Sequence, residues 1–193
     1  MEYHDEDVKL MLHFQEGDES CFVQLVERYK ERIFKFAYRF LGNYQDAEDV
    51  AQETFIKAYR AKDRYVPKSK LSTWLYVICK NTCLKRLRKK EPPKISIDEN
   101  VESEENAVKR QIPDLGSPNA GISLLNKERA DIIKEAVDAL PTNQRMVVIL
   151  YRYEQLSYKE ISKITRLSTQ AIKSLLHRAK ENLKIRLAEF FRQ

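Results

Sequence analysis

"LSYKEISKITRLSTQAIKSLLHRAKENL", residues 156–183, holds two runs of helical periodicity split by a polar turn. Ser157 with Glu160 three residues on has the pattern of a capping box: the hydroxyl accepts from an orphan amide and the carboxylate reaches back. A short helix carrying Ile161 and Ile164 follows, then a tight turn through Arg166 and Leu167, then a second helix that Ser168 can cap. At about 100° per residue, Ile172, Leu175, Leu176, Ala179 and Leu183 share an arc of roughly 100°. Gln170, Lys173, Ser174 and His177 take the opposite side, with Arg178 flanking. That outer face lacks acids through its first two turns and is rich in hydrogen-bond donors. A helix that reads duplex DNA needs this division, with apolar residues to dock it and donors and a cation for base edges and phosphates. An ordinary amphipathic hairpin has the same inner face, so the helix-turn-helix does not by itself identify a function.

The remaining chain also reads as helix. Of 193 residues, only 4 are glycine and 6 proline, which favours long helices over a turn-rich sheet protein. Periodicity runs with breaks from Val8 to Arg88 and resumes at about Leu124. Between them, "EPPKISIDENVESEENAVKRQIPDLGSPNAGIS", residues 91–123, holds most of the prolines and two of the glycines, the composition of a linker. No repeat and no convincing strand is present. The expected fold is all-α: a helical domain over residues 1–92, a flexible acidic linker over 93–123, and a second helical domain over 124–193.

The net charge of +6 hides local imbalance. Residues 57–94 carry 13 Lys/Arg against 2 acids, and residues 143–193 carry 11 against 4, whereas residues 98–106 hold 5 acids and no base. Two basic blocks around an acidic strip suit a chain that meets a polyanion at two places, although solvated helical surfaces have the same composition. The opening "MEYHDEDVKL" is acidic rather than basic-then-apolar, so no secretory signal is expected. With three cysteines and no apolar run long enough for a bilayer, a reducing cytoplasm is the expected compartment.

Two further segments carry surface chemistry. "GNYQDAEDVAQETFIKAYR", residues 42–60, places Ala47, Val50, Ala51, Thr54 and Ala58 on one face, a small-residue face suited to close packing. Asp49, Gln52, Glu53 and Ile56 take the other side, with Asp46 and Phe55 at its margins. An apolar centre with a charged rim fits a protein-binding surface, and a solvated face with one stray isoleucine fits as well. "LSTWLYVICKNTCLKRLRKK", residues 71–90, places Leu71, Trp74, Leu75, Ile78 and Thr82 on one face and Lys80, Asn81, Leu84 and Arg88 away from it. Upstream, Arg64, Lys68 and Lys70 lie in a loop-like stretch. Cations beside aromatics and an amide suit a single nucleic-acid strand, the charges tracking phosphates while rings engage unstacked bases. Trp74 sits on the apolar face, which makes it core or wedge, and Tyr65 and Tyr76 are the freer rings for stacking.

Cys79 and Cys83 supply two thiols where a closed zinc site wants four ligands, so free thiols are expected and no metal or other cofactor. No Ser/His/Asp set, phosphate-binding glycine loop or catalytic carboxylate pair occurs, and no small-molecule substrate is expected. An enzyme with a cysteine nucleophile and a stand-alone helix-turn-helix regulator are the rival readings.

Taken in order, "DAEDVAQETFIKAYR", "KLSTWLY…N…LKRLRKK" and "LP…QR…L…EQLSYKEIS…S…AIKSLLHRAK" resemble the bacterial RNA polymerase sigma factors of the extracytoplasmic-function group. The resemblance covers nearly the whole chain except the linker, and the three motifs together are specific where each alone is not. It implies two helical domains, region 2 and region 4, and partners in core RNA polymerase, promoter DNA and a sequestering anti-sigma factor that is often membrane-bound. By position, it places Asp46, Glu48, Asp49, Gln52, Glu53 and Phe55 on the surface that docks on the polymerase clamp. It likewise makes Arg64, Lys68, Lys70, Trp74 and Tyr76 part of the strand-melting segment, and Lys80, Asn81, Leu84 and Arg88 part of the helix reading the −10 element. Gln170, Lys173, Ser174, His177 and Arg178 match the surface reading the −35 element. The linker matches a segment that threads the polymerase toward its RNA exit path, where acids imitate RNA.

The chain departs from the family pattern at four places. Val77 stands where arginine is common, Gln170-Ala171 replaces a usual glycine-threonine, and Leu175 replaces a frequent arginine. The roles survive these changes, but the promoter sequence does not follow from family habit.

Overall fold

A computed structural model describes residues 5–90 and 120–190. Every regular element among them is helical: α1 Glu6–Gln15, α2 Glu19–Leu41, α3 Tyr44–Arg60, a 3-10 turn Lys62–Arg64, α4 Leu71–Lys90, α5 Ala120–Asp138, α6 Thr142–Val148, a π-helical extension Ile149–Tyr153, α7 Tyr158–Thr165 and α8 Thr169–Phe190. The acidic strip and most of the linker lie outside the described residues. Helix α5 begins at Ala120, four residues ahead of the boundary expected at 124.

Side-chain caps start the first three helices. Asp5, Asp18 and Asn43 each accept a backbone amide at the head of α1, α2 and α3, satisfying donors that helix geometry leaves over. Gly42 ends α2 at φ +73°, the left-handed region that glycine enters at least cost, and its amide donates to Tyr38. The chain then reverses directly into α3, whose Ala47, Val50, Ala51, Thr54 and Ala58 are all buried as their spacing predicts.

Helix α4 is the centre of the fold: α2 and α3 pack on one side of it and α7 on another. Its buried face therefore differs from the expected one. Leu71, Leu75 and Thr82 are buried as read, but Trp74 and Ile78 are only half-buried, while Cys79 and Cys83 are fully enclosed. Cysteine packs here as a small hydrophobe. The two rings read as free are also covered: Tyr65 is 4% exposed and Tyr76 only 1%. Packing on two sides, which periodicity along one helix cannot report, is the cause.

In the second half, Met146 to Leu150 are all buried. The π segment widens the helix, with the Glu154 amide donating to Ile149 at 3.1 Å. Apolar side chains of both halves, Phe36 and Leu75 together with Leu150 and Ile161, join one continuous core cluster.

Candidate nucleic-acid interface

The helix-turn-helix forms as the sequence predicts. Ser157 Oγ accepts from the Glu160 amide at 3.3 Å, and the Glu160 carboxylate accepts from the Ser157 amide at 2.9 Å and hydroxyl at 2.7 Å. These bonds, with Lys70 Nζ at 2.9 Å, hold the Glu160 carboxyl down to about 2. Arg166 closes α7 at φ +63°, a left-handed conformation without glycine. Ser162 Oγ donates to the Leu167 carbonyl across the turn at 2.6 Å, and Ser168 Oγ accepts from the Ala171 amide at 3.1 Å to start α8.

Helix α8 buries Ile172 and Ala179 completely and leaves Gln170, Lys173, His177 and Arg178 exposed. Ser174 is half-buried. Lys173 Nζ lies 6.0 Å from the centre of the Tyr158 ring, which stacks on Tyr151. The face turned to solvent thus combines an amide, a hydroxyl, an imidazole and two cations on a helix rigidly docked by its apolar side, the equipment for a duplex groove.

The α4 edge is less open. Arg64, Lys68, Asn81 and Arg88 are exposed. Lys80 and Leu84 are half-buried, and burial, then the nearby Arg166 charge, push the Lys80 ammonium below the ordinary lysine value. Trp74 packs edge-on against Tyr65 with ring centres 5.1 Å apart, and its side chain is half-buried against the core. Tyr76 donates its hydroxyl hydrogen to Glu154 of the second half, and burial, then that carboxylate, push its pKa up.

On α3, Glu48, Asp49 and Gln52 are exposed, Ile56 is 50% exposed, and Glu53 and Phe55 are half-buried. Asp46 is buried rather than marginal. Arg86 of α4 reaches both acids, Nη2 to Asp49 at 2.9 Å and Nη1 to Asp46 at 3.5 Å. Glu53 pairs with Lys57 at 2.8 Å, and that bond holds its carboxyl below the ordinary glutamate value. Sequence reading missed Arg86, because its partners lie on another helix and no local pattern marks it. Among the described residues, no group of three or more His, Cys, Asp or Glu could hold a metal ion, and no helix is long and apolar enough to cross a membrane.

Two family models match the chain: Sigma-70 region 2 at residues 25–92 and Sigma-70, region 4 at residues 130–183. The chain is 34% identical to the ECF RNA polymerase sigma factor SigW of Bacillus subtilis, over 94% of this chain and 96% of that protein. Its fold is similar to that of CnrH solved with the cytosolic domain of CnrY, with a TM-score of 0.69, 23% identity, and 96% of this chain and 99% of that one covered. It is also similar to the sigma factor RpoE of Bartonella quintana solved with the anti-sigma factor NepR, with a TM-score of 0.65, 24% identity, and coverage of 86% and 96%.

Proposed function

From the premise that the chain belongs to the extracytoplasmic-function sigma factors of the sigma-70 family, we propose which of its surfaces carries each step of initiation. The chain binds core RNA polymerase and directs it to promoters, and an anti-sigma factor controls it. Residues 1–92 form the region 2 domain, 93–123 the linker, and 124–193 the region 4 domain.

The α3 face of Glu48, Asp49, Gln52, Glu53 and Phe55 docks on the polymerase, with Ile56 as its apolar centre and Asp46 beneath it as support. The α8 face of Gln170, Lys173, Ser174, His177 and Arg178 reads the −35 duplex. Arg64, Lys68 and Lys70 track the phosphates of the displaced −10 strand while Trp74, Lys80, Asn81, Leu84 and Arg88 engage its bases. Unstacking costs a few kcal/mol per base, which stacking and phosphate contacts must return. Nucleotide addition belongs to the polymerase, and this chain supplies positioning. It works in the cytoplasm, held at the inner membrane when its anti-sigma partner is membrane-bound.

The observation that carries this assignment is the exposed donor face of α8 on a capped helix-turn-helix, in a chain aligned over 94% of its length with a sigma factor. Run-off transcription with purified core polymerase and a promoter fragment library tests it. Initiation at a defined set of fragments only when this chain is present is the expected result. Transcription no different from core polymerase alone would overturn it.

A further inference from the structure

Gln15, the last residue of α1, ends a helix whose inner side is fixed. Phe14 is fully buried and stacks on Phe22 of α2 with ring centres 4.7 Å apart, and Asp7 pairs with Arg28 and Tyr29 of α2. From that base the Gln15 side chain reaches far along the sequence. Its Nε2 donates to the Lys62 carbonyl at 2.6 Å and to the Tyr65 carbonyl at 3.1 Å, 47 and 50 residues away in the chain. An amide nitrogen carries two hydrogens, so one side chain can hold both the first residue of the 3-10 turn Lys62–Arg64 and the residue that ends it. The Lys62 carbonyl also accepts from the Tyr65 amide at 3.0 Å, which closes the turn itself. Lys62 Nζ adds a second tether to α1, 4.7 Å from the centre of the Phe14 ring and 6.0 Å from that of Tyr59.

This clip holds the start of the segment assigned to the displaced strand. Tyr65 is buried, and its ring packs edge-on against Trp74 at 5.1 Å. On either side of it, Arg64, Val66 and Lys68 turn to solvent. Gln15 therefore reaches Trp74 through one residue: its bond to the Tyr65 backbone fixes where that ring stands, and the ring contact fixes the indole. A loop that must seize unstacked bases binds more tightly when it is already ordered, because every residue fixed only on binding subtracts conformational entropy from the affinity. Loops on a rigid support meet that need, and here the support is a helix outside the loop's own hairpin.

We propose that Gln15 is a positioning residue for capture of the −10 strand: it ties the loop ahead of α4 to α1, so that Trp74 and the basic residues beside it meet the strand already ordered. This inference rests on the assignment of α4 and its preceding loop to the −10 strand. Gln15 touches no DNA in this scheme and acts through Tyr65.

Gln15→Met and Gln15→Glu test it. Methionine keeps the length of the side chain but has no hydrogen to donate, and glutamate sets a carboxylate against the two carbonyls. The position is a half-buried helix end, and both replacements are good helix formers. Trp74 is the only tryptophan of the chain, so its emission reads the loop directly in the free protein. Acrylamide quenching of that emission should rise about twofold in both variants, because the ring packed on the indole is no longer held. Binding of the variant holoenzymes to a labelled single strand carrying the −10 sequence of a fragment recovered by run-off should weaken by about tenfold. Affinity for core polymerase and for a −35 duplex should stay within about twofold of the wild type, since those surfaces share no partner with Gln15. Unchanged quenching in both variants would show that Gln15 does not hold the loop, and raised quenching with wild-type strand affinity would show that the hold has no part in capture; either result overturns the proposal. Strand and core affinities falling together would mark a merely structural residue and overturn it as well. Failure of the wild type to direct initiation would instead strike the proposed function, while the quenching measurement still reads the clip, which separates the two failures.

Discussion

Arg86 of α4 lies 2.9 Å from Asp49, an acid of the α3 surface assigned to polymerase, and 3.5 Å from Asp46 beneath that surface. The helix assigned to the −10 strand is thereby tied to the helix assigned to polymerase docking. Asp49 is half exposed, and an ion pair of that kind stabilises by at most about 1 kcal/mol. Arg86→Ala should therefore shift the thermal midpoint by only a few degrees and leave core binding within a few-fold. Asp49→Lys should weaken core binding by at least about tenfold and steepen its loss with salt. Titration of labelled protein with core polymerase reads both, and equal effects of the two variants would mean that the pair, not the acid, is recognised.

The capping box predicts an acid signature. The Glu160 carboxyl sits at about 2 because the Ser157 hydroxyl and amide bind its charged form, with Lys70 adding to the effect. A folded-state value below the ordinary glutamate value stabilises the fold fully above that ordinary value. The stabilisation fades as pH falls through it toward the folded value. Glu160→Gln should thus melt below the wild type at neutral pH, and the two midpoints should converge between about pH 5 and 2. Ser157→Ala should cost about 1 kcal/mol at neutral pH, seen in urea unfolding.

Arg166 occupies φ +63° at the end of α7. A side chain there costs ~1–2 kcal/mol, and glycine returns that while losing ~0.5–1 kcal/mol to its freer unfolded chain. Arg166→Gly should stabilise the protein slightly, by roughly 0.5–1 kcal/mol. An unchanged or lower midpoint would show that the arginine side chain contributes more to the fold than its backbone conformation costs.

Lys173→Ala and Asn81→Ala separate the two reading surfaces. The first should lose −35 discrimination worth ~1–3 kcal/mol for a good base contact, measured by competition between promoter variants. The second should slow open-complex formation, followed by permanganate reactivity of the melted strand. If both variants merely change the salt slope of binding, these side chains meet phosphates rather than bases.

Cys79 and Cys83 are fully enclosed. The hydrogen bond with the Cys79 thiol and then burial hold the Cys83 thiol well above its ordinary value. Thiol reagents should leave both unmodified in the native protein and label them in urea. Cys79→Ala/Cys83→Ala should lower stability by about 1–3 kcal/mol and retain transcription below its new midpoint, an outcome no nucleophilic cysteine would permit.

Much of this was legible along the chain because its signals are local. The capping box at Ser157 and Glu160, the Ser168 cap and the small-residue face of α3 depend on residues three or four apart, and all three form as read. Helix α4 was legible only in part. Its inner edge through Leu71 and Leu75 follows from periodicity, but Tyr76 and Cys79 are buried because α2, α3 and α7 pack on α4 from elsewhere in the chain. Tyr65 and Tyr76 were read as free rings for the same reason, since a tyrosine beside a basic run looks exposed until a second element covers it.

The amino-acid sequence by itself determined an all-helical chain, the position of the helix-turn-helix, the donor face of α8 and the acidic face of α3, since helix period and capping act within a few residues. Only the tertiary structure decided that Arg86 reaches Asp49 and that Glu154 reaches Tyr76, 78 residues away in the chain. A carboxylate in a helix-end turn reads as solvated from its neighbours. Whether it is buried, and whose hydroxyl it binds, depends on how two separately amphipathic halves meet, and apolar burial sets that meeting without regard to distance along the chain.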